Sequence, residues 1–367
     1  MQEERKMILK MIEDGKITAE EGLQLLNALK DPATAEKKEE SKKVMERSLS
    51  RDVDWENSRR RGYTEHKGPS FATRFTEFIE DAIQKIKEFD LDFNFGSSVE
   101  IEHIFQHRDA KVRRADIHLE NGSITFRPWE EQDVRIECNV KVYKVKDGDE
   151  ARRTFLDEVV FDVTDDKLRF ESRRKSFKVN TVIYLPKKDL EKIKLYTFNG
   201  RINGSEVVAD KFEAQTVNGR ISFDKIKGDD VRLETVNGTI SVSKLDVENC
   251  DAQTVNGTIA ISAVKGKLDA ETLNGTINYT LLNSVDSRAY MKTTTGSVTV
   301  TVPSEVKTEG ELKTTVGGIH CDLPKLTVIE EKKEFANKKM SFLANRDGEQ
   351  AFYIEAEATT GSITVRN

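Results

Sequence analysis

Cysteine is scarce in this chain: Cys138, Cys250 and Cys321 are its only three in 367 residues, and they lie far apart. An odd, scattered set of thiols does not make a disulfide framework, so a reducing compartment is the simpler expectation. Long apolar runs are missing as well. No stretch approaches the roughly 18 residues of a membrane-spanning helix, and the segment after Met1 is amphipathic rather than signal-like. A predominance of one charge is also absent, with 59 basic against 65 acidic residues and a formal net charge of -6. No global field therefore draws the chain onto nucleic acid or anionic lipid. Histidine is rare too. His103 and His107 have the i, i+4 spacing of helical zinc ligands, but Ile104 stands where the usual Glu is expected and the surroundings read as strand. His320 and Cys321 are adjacent, which on a strand turns them to opposite faces. No phosphate-binding glycine cluster opens a helix. These gaps predict a protein without catalytic residues, cofactor or metal.

What is present falls into four segments. Residues 1–30 place Ile8, Met11 and Ile12, then Leu23, Leu26 and Leu29, at helical spacing on either side of Gly15. Thr18 and Glu21 form a capping box at the start of the second helix. A helical hairpin of this size buries too little apolar surface to stand alone, so these six residues are candidate contacts with another copy or a protein partner. Residues 31–70 read as a flexible charged linker. Its Arg59-Arg60-Arg61 run is expected to be solvated, because salt-sensitive nucleic-acid binding needs more neutralised phosphates. Residues 71–95 predict an amphipathic, Phe-rich helix with Phe71, Phe75, Phe78 and Ile79 on one face. Its acidic polar side argues against a membrane-surface helix. The expectation is a cap over the open end of the fold that follows.

From residue 96 to 367 the apolar period becomes two, and a six-residue unit recurs. It stands at Thr197–Ile202, Thr216–Ile221, Thr235–Ile240, Thr254–Ile259 and Thr272–Ile277, each time as Thr, an apolar residue, Asn, Gly, Arg or Thr, and Ile. Its glycines fall 19, 19, 19 and 18 residues apart, with looser copies around Gly122, Gly296, Gly317 and Gly361. Fixed-period self-similarity marks a repeat architecture. The corner pairs Asn199-Gly200, Asn218-Gly219, Asn237-Gly238, Asn256-Gly257 and Asn274-Gly275 are expected in left-handed backbone, stacked about 4.8 Å apart as a ladder. The fold predicted is mainly β: a parallel β-helix with rungs of about 19 residues, each of roughly three short strands. Asn-Gly is also the strongest hairpin signal, so an antiparallel meander or propeller is the alternative.

The segment Ile8–Leu29, with Gly15-Lys16-Ile17-Thr18-Ala19-Glu20-Glu21, resembles SHOCT-like helical hairpins. Residues from about 100 to 367 resemble the adhesin-like β-strand repeat family, a domain of unknown function. Together they resemble the two-part architecture of YvlB/LiaX-like proteins of Gram-positive bacteria. That resemblance implies an oligomerisation or interaction module, a link to the cell-envelope stress response, and an envelope-stress membrane protein or envelope-active peptide as partner. It supplies no catalytic residues. The expected location is cytoplasmic with at most peripheral membrane contact, the alternative being the cell surface by a route without a signal peptide. The function expected is a non-enzymatic scaffold or sensor, the alternative a cell-surface protein binding peptides, glycans or other cells.

Overall fold

The structure is a computed structural model that describes residues 71–88, 97–187, 190–283, 286–334 and 337–367, with side chains from Phe75 to Gln84 in the first of these. The hairpin residues Ile8, Met11, Ile12, Leu23, Leu26 and Leu29 and the linker 31–70 lie outside the described residues. The described residues form two helices and 23 strands.

The middle of the fold follows directly from the repeat. Each 19-residue unit folds as two strands joined at the Asn-Gly corner, as in β10 (Lys211–Asn218) and β11 (Ile221–Lys227). Successive units stack in parallel. In one sheet, β8 (Lys192–Asn199), β10, β12 (Asp230–Asn237), the second half of β13 (Ile240–Asn256), the second half of β14 (Ile259–Asn274) and β16 (Ser287–Thr295) pair in register. In the other, β9 (Ile202–Val208), β11, the first halves of β13 and β14, β15 (Ile277–Leu281) and β17 (Val298–Thr301) do the same. The solenoid expectation holds and the hairpin alternative does not, since every pairing between these units is parallel. Each rung has two strands rather than three.

The register explains the core. The motif isoleucines Ile202, Ile221, Ile240, Ile259 and Ile277 pair down one sheet and are completely buried. Facing positions of the other sheet carry Leu195, Ala214, Leu233, Ala252 and Ala270, also completely buried. Each buried Ile or Leu contributes about 1.5–3 kcal/mol, so stacking like on like makes one continuous apolar filling. Size alternates where rings enter: the Phe223 ring occupies space above Gly204, whose added Cβ would meet it at 2.8 Å.

At both ends, chain order and spatial order part. The first two-stranded rung in the chain, β2 (Arg114–Asn121) with β3 (Ile124–Trp129), lies between the β8/β9 rung and one made of β6 (Lys167–Ser172) and β7 (Phe177–Pro186). At the other end the last strands of the chain, β22 (Ala351–Thr360) and β23 (Ile363–Arg366), insert between the β16/β17 rung and β18 (Lys307–Val316) with β19 (Ile319–Asp322). Antiparallel strands finish three of the four sheet ends. They are β5 (Val160–Thr164) on β6, β4 (Val134–Tyr143) and β1 (Ser98–His107) on β7, and β21 (Lys338–Ala344) and β20 (Thr327–Lys333) on β18. Short or charged antiparallel ends limit further edge pairing.

Among the described residues, the helix that closes a core end is α2 (Gly148–Glu158), which the sequence reading did not anticipate. Its Asp147 cap accepts a hydrogen bond from the Glu150 backbone at 2.9 Å, and the Glu150 carboxylate accepts one from the Lys146 backbone at 2.8 Å. Phe155 enters the core completely buried, with ring contacts to His103, Phe105 and Phe177. The Phe-rich helix α1 spans Phe71–Glu88, with Phe75, Phe78, Ile79 and Ala82 buried, and the remainder of the expected 71–95 helix lies outside the described residues. None of these four belongs to the continuous core that contains Phe155 and the repeat isoleucines.

Candidate functional site

The residues of the repeat come together as two ladders along one corner of the solenoid. Asn121 Nδ2 donates to the Lys175 carbonyl at 2.9 Å, and Asn199, Asn218, Asn237, Asn256 and Asn274 each donate to the amide oxygen of the preceding Asn at 2.8–3.0 Å. Beneath them the Thr hydroxyls of Thr197, Thr216, Thr235, Thr254, Thr272 and Thr293 donate to the corner glycine carbonyl of the preceding rung.

The glycines Gly200, Gly219, Gly238, Gly257 and Gly275 are required by close approach. A Cβ on Gly238 would lie 1.8 Å from the Gly219 carbonyl oxygen, and the same clash recurs on every rung from Gly200 to Gly275. The expected left-handed corner is corrected here. Neither the five motif asparagines nor Gly200, Gly219, Gly238 and Gly275 have positive φ, although Gly257 does, at +158°. Gly is selected because there is no room for a side chain. The Asn amides and the first Thr hydroxyl of each motif are thus used inside the fold, which makes this corner a structural seam.

A cavity with converging polar groups, of about 590 Å³, lies on the outer side of β1, β4, β7 and β3. Sheet alternation turns Asn139, Glu137, Asn180 and Thr125 outward there. Asn180 Oδ1 accepts from the Ser123 backbone and hydroxyl at 3.1 and 3.0 Å. The Glu137 carboxylate pairs with Arg135 at 2.6 Å and accepts from the Tyr184 hydroxyl at 3.4 Å, while the Tyr184 ring packs 5.1 Å from Trp129. At the other margin Arg152 stands 3.5 Å from His103 Nδ1. Burial first, then the Arg152 charge, hold the His103 imidazole below its ordinary pKa, so it is neutral near pH 7. His103 lies on a strand with His107 exposed at its end, which removes the helical zinc geometry. Cys321 is half-buried with its thiol pushed up to about 12, chiefly by burial, and His320 is exposed. A thiol held so high is a poor nucleophile. Among the described residues, no group of His, Cys, Asp or Glu is placed to hold a metal, and no helix is long and apolar enough to cross a membrane.

A second feature was not legible as a site. On the outer side of the other sheet, Glu213 and Gln215 of β10, Arg232 and Glu234 of β12, Asp251 and Gln253 of β13, and Asp269 and Glu271 of β14 stand in adjacent register. Glu234 and Gln253 are buried, with 1% and 0% exposure. Burial pushes the Glu234, Asp251 and Asp269 carboxyls up, to about 7, 6 and 7. Further along the outer side of this sheet, burial and the charges of Glu120 and Asp81 raise the Tyr196 hydroxyl, so helix α1 brings Asp81 close to β8. Alternation alone marks such positions as solvated, and only the burial of Glu234 and Gln253 reveals them.

Residues 112–366 match the Toastrack DUF4097 family and residues 3–33 a SHOCT-like domain. The uncharacterized protein YvlB of Bacillus subtilis is 36% identical over 367 residues, covering 100% of this chain and 99% of that protein. Among solved structures, a candidate adhesin from Bacteroides fragilis is 10% identical with a TM-score of 0.40, covering 72% of this chain and 97% of that one. A candidate lipid-binding protein from Parabacteroides distasonis is 10% identical with a TM-score of 0.37, covering 72% and 96%. A match to more than half of the residues, falling on the rungs themselves, means that the chain belongs to the Toastrack DUF4097 family.

Proposed function

We propose that this protein is a non-enzymatic scaffold or sensor for cell-envelope stress, in which the N-terminal hairpin joins copies or partners and the solenoid presents a rigid binding surface. The observation that carries this reading is the use of the repeat. Its Asn amides, first Thr hydroxyls and corner glycines are spent on internal ladders, which hold the repeat rungs in fixed register. The side chains left outward, by contrast, vary from rung to rung. A body some 40 Å long, at about 4.8 Å per rung, offers a docking face that does not need reordering on binding. In this reading the protein works in the cytoplasm or against the inner membrane surface. The test is capture of partners from cells under envelope stress, with the full chain compared with residues 70–367. Partners retained by the full chain and lost by the shorter one support the division of labour; identical partner sets contradict it.

A second reading, a cell-surface protein binding peptides or glycans, is favoured by the 590 Å³ cavity. Its Asn, Ser, Thr and Glu lining beside the Trp129–Tyr184 pair suits a ligand rich in hydroxyls and amides. Surface proteolysis of intact cells separates the readings: cleavage of this chain supports the second, protection the first.

A further inference from the structure

The outer row of buried amides and carboxyls has more acceptors than donors. Gln215 Nε2 donates to Glu234 Oε2, and Gln253 Nε2 points the other way, 3.4 Å from Glu271 Oε2. Glu234 Oε1 and Gln253 Oε1 are left buried without a hydrogen-bond partner. Glu234 and Gln253 are direct register partners on neighbouring parallel strands, so these two acceptors belong to adjacent side chains of one row. Two buried acceptors side by side repel, and an acceptor left without a donor in a buried place is destabilising. Turning the Gln253 amide over does not help. Its single donor end would then serve Glu234 and its acceptor end would face Glu271. In either orientation the row holds one acceptor too many. A proton on a carboxyl oxygen removes the excess, because it turns that oxygen into a donor.

We infer that Glu234 is a resident carboxylic acid in the folded protein, whose Oε1–H donates to Gln253 Oε1 and closes a row running Gln215, Glu234, Gln253, Glu271. The surrounding charges are consistent with this. Arg232 on the same strand approaches Glu234 Oε1 only to 3.7 Å, beyond hydrogen-bonding reach. Against it stand Glu213 on β10, Asp251 on β13, and Asp269 and Glu271 on β14. Lys267, on the far strand β14, is a further cation of this face, and Asp81 of α1 acts on Tyr196 further along the sheet. The carboxyl's raised pKa, caused first by burial, agrees with the geometry. Losing this proton near neutral pH would put a buried negative charge against the Gln253 oxygen and Asp251. The row is therefore a proton-binding site that couples the packing of this face to pH between about 6 and 8.

The experiment is a carbon-detected carboxyl titration of the full chain, with melting curves from pH 5 to pH 9 for the parent, Glu234→Gln and Gln253→Glu. The Glu234 carboxyl should titrate near pH 7. Glu234→Gln, which carries a permanent donor at the same place, should keep the fold and lose most of the fall in melting temperature between pH 5 and pH 7. Gln253→Glu should steepen that fall. Calcium or a chelator at pH 8 should leave the parent curve unmoved. A Glu234 midpoint below pH 5 would mean an ion pair with Arg232 and would overturn the inference. So would a calcium-dependent rise in melting temperature, which would mean that the row binds a metal ion in place of the proton. A Glu234→Gln curve parallel to the parent at every pH would likewise overturn it.

Discussion

The middle rungs and the ends of this solenoid solve different problems. Between β8 and β17 each rung is a template for the next, and order along the chain is order in space. The same Asn, Thr, Gly and Ile positions recur because every rung meets the same neighbours. At the ends a template has nothing to copy onto, and its exposed backbone would pair with another molecule. There the chain departs from its own order, locking β22 and β23 between two other rungs and turning to antiparallel strands and a short helix. A repeat therefore specifies propagation, and stopping it requires sequence of another kind.

The sharpest way to break the middle is at a corner glycine. Gly238→Ala places a methyl group against the Gly219 carbonyl backbone, which has no room to move without parting two rungs. A loss of about 4 kcal/mol or failure to fold is expected, measurable by urea denaturation of soluble protein. At the end, Phe155→Ala removes the ring that α2 inserts into the core, and should cost about 3–4 kcal/mol in the same assay. If proteolysis after this change spreads from the 100–160 region rather than from the rungs, the two regions are separable.

Proton linkage contrasts the outer rows in the same way. Glu234 has its carboxyl raised to about 7 in the fold and an ordinary value of 4.5. The folded state then holds the proton while the unfolded chain has released it. Stability from this group is complete below about pH 4.5 and is lost as pH rises to about 7, an effect of roughly 3 kcal/mol. Glu171 has the opposite sign, since its hydrogen bond with Arg169 holds its carboxyl low, and it loses stability as pH falls below the ordinary range. Melting temperature against pH should therefore form a dome with its maximum on the acid side of neutrality.

Smaller effects test the ladders. Asn237→Ala interrupts the amide ladder at one rung and should cost about 1–2 kcal/mol by chemical denaturation. The cost stays moderate because Thr295 already stands at the equivalent corner further along. Gly148→Ala, at the start of α2 with nothing within 4 Å of the added carbon, should change stability by less than about 0.5 kcal/mol. Equal losses for Gly148→Ala and Gly238→Ala would remove close approach as the reason for the corner glycines.

The repeat, its parallel stacking and the corner ladder were legible because each rung repeats its polar and apolar positions in full. The number of strands per rung was not, since the bend near Ala209, Gly228 and Val247 carries no fixed residue type. Helix α2 has only Ala151 and Phe155 buried, too few to show a helical period, although Asp147 and Glu150 at cap spacing gave a local sign of it. The insertion of β22/β23 was hidden for a different reason. The loose copies at Gly317 and Gly361 look alike, and nothing in a repeat says which copy stacks on which. The Glu234–Gln253 row was invisible because its positions alternate outward and its burial depends on neighbours distant in sequence.

The rungs stack in parallel, with the chain's last strands inserted out of order. Thr299 pairs with Thr364, and Thr364 with His320, which sets Thr299 and His320 two rungs apart. In a Cys321→Ser background, oxidation should bridge Thr299→Cys with Thr364→Cys, whose backbones are about 4.8 Å apart, and should not bridge Thr299→Cys with His320→Cys at about twice that distance. The reverse pattern, a rapid 299–320 bridge and none at 299–364, would place the strands in chain order and contradict the account.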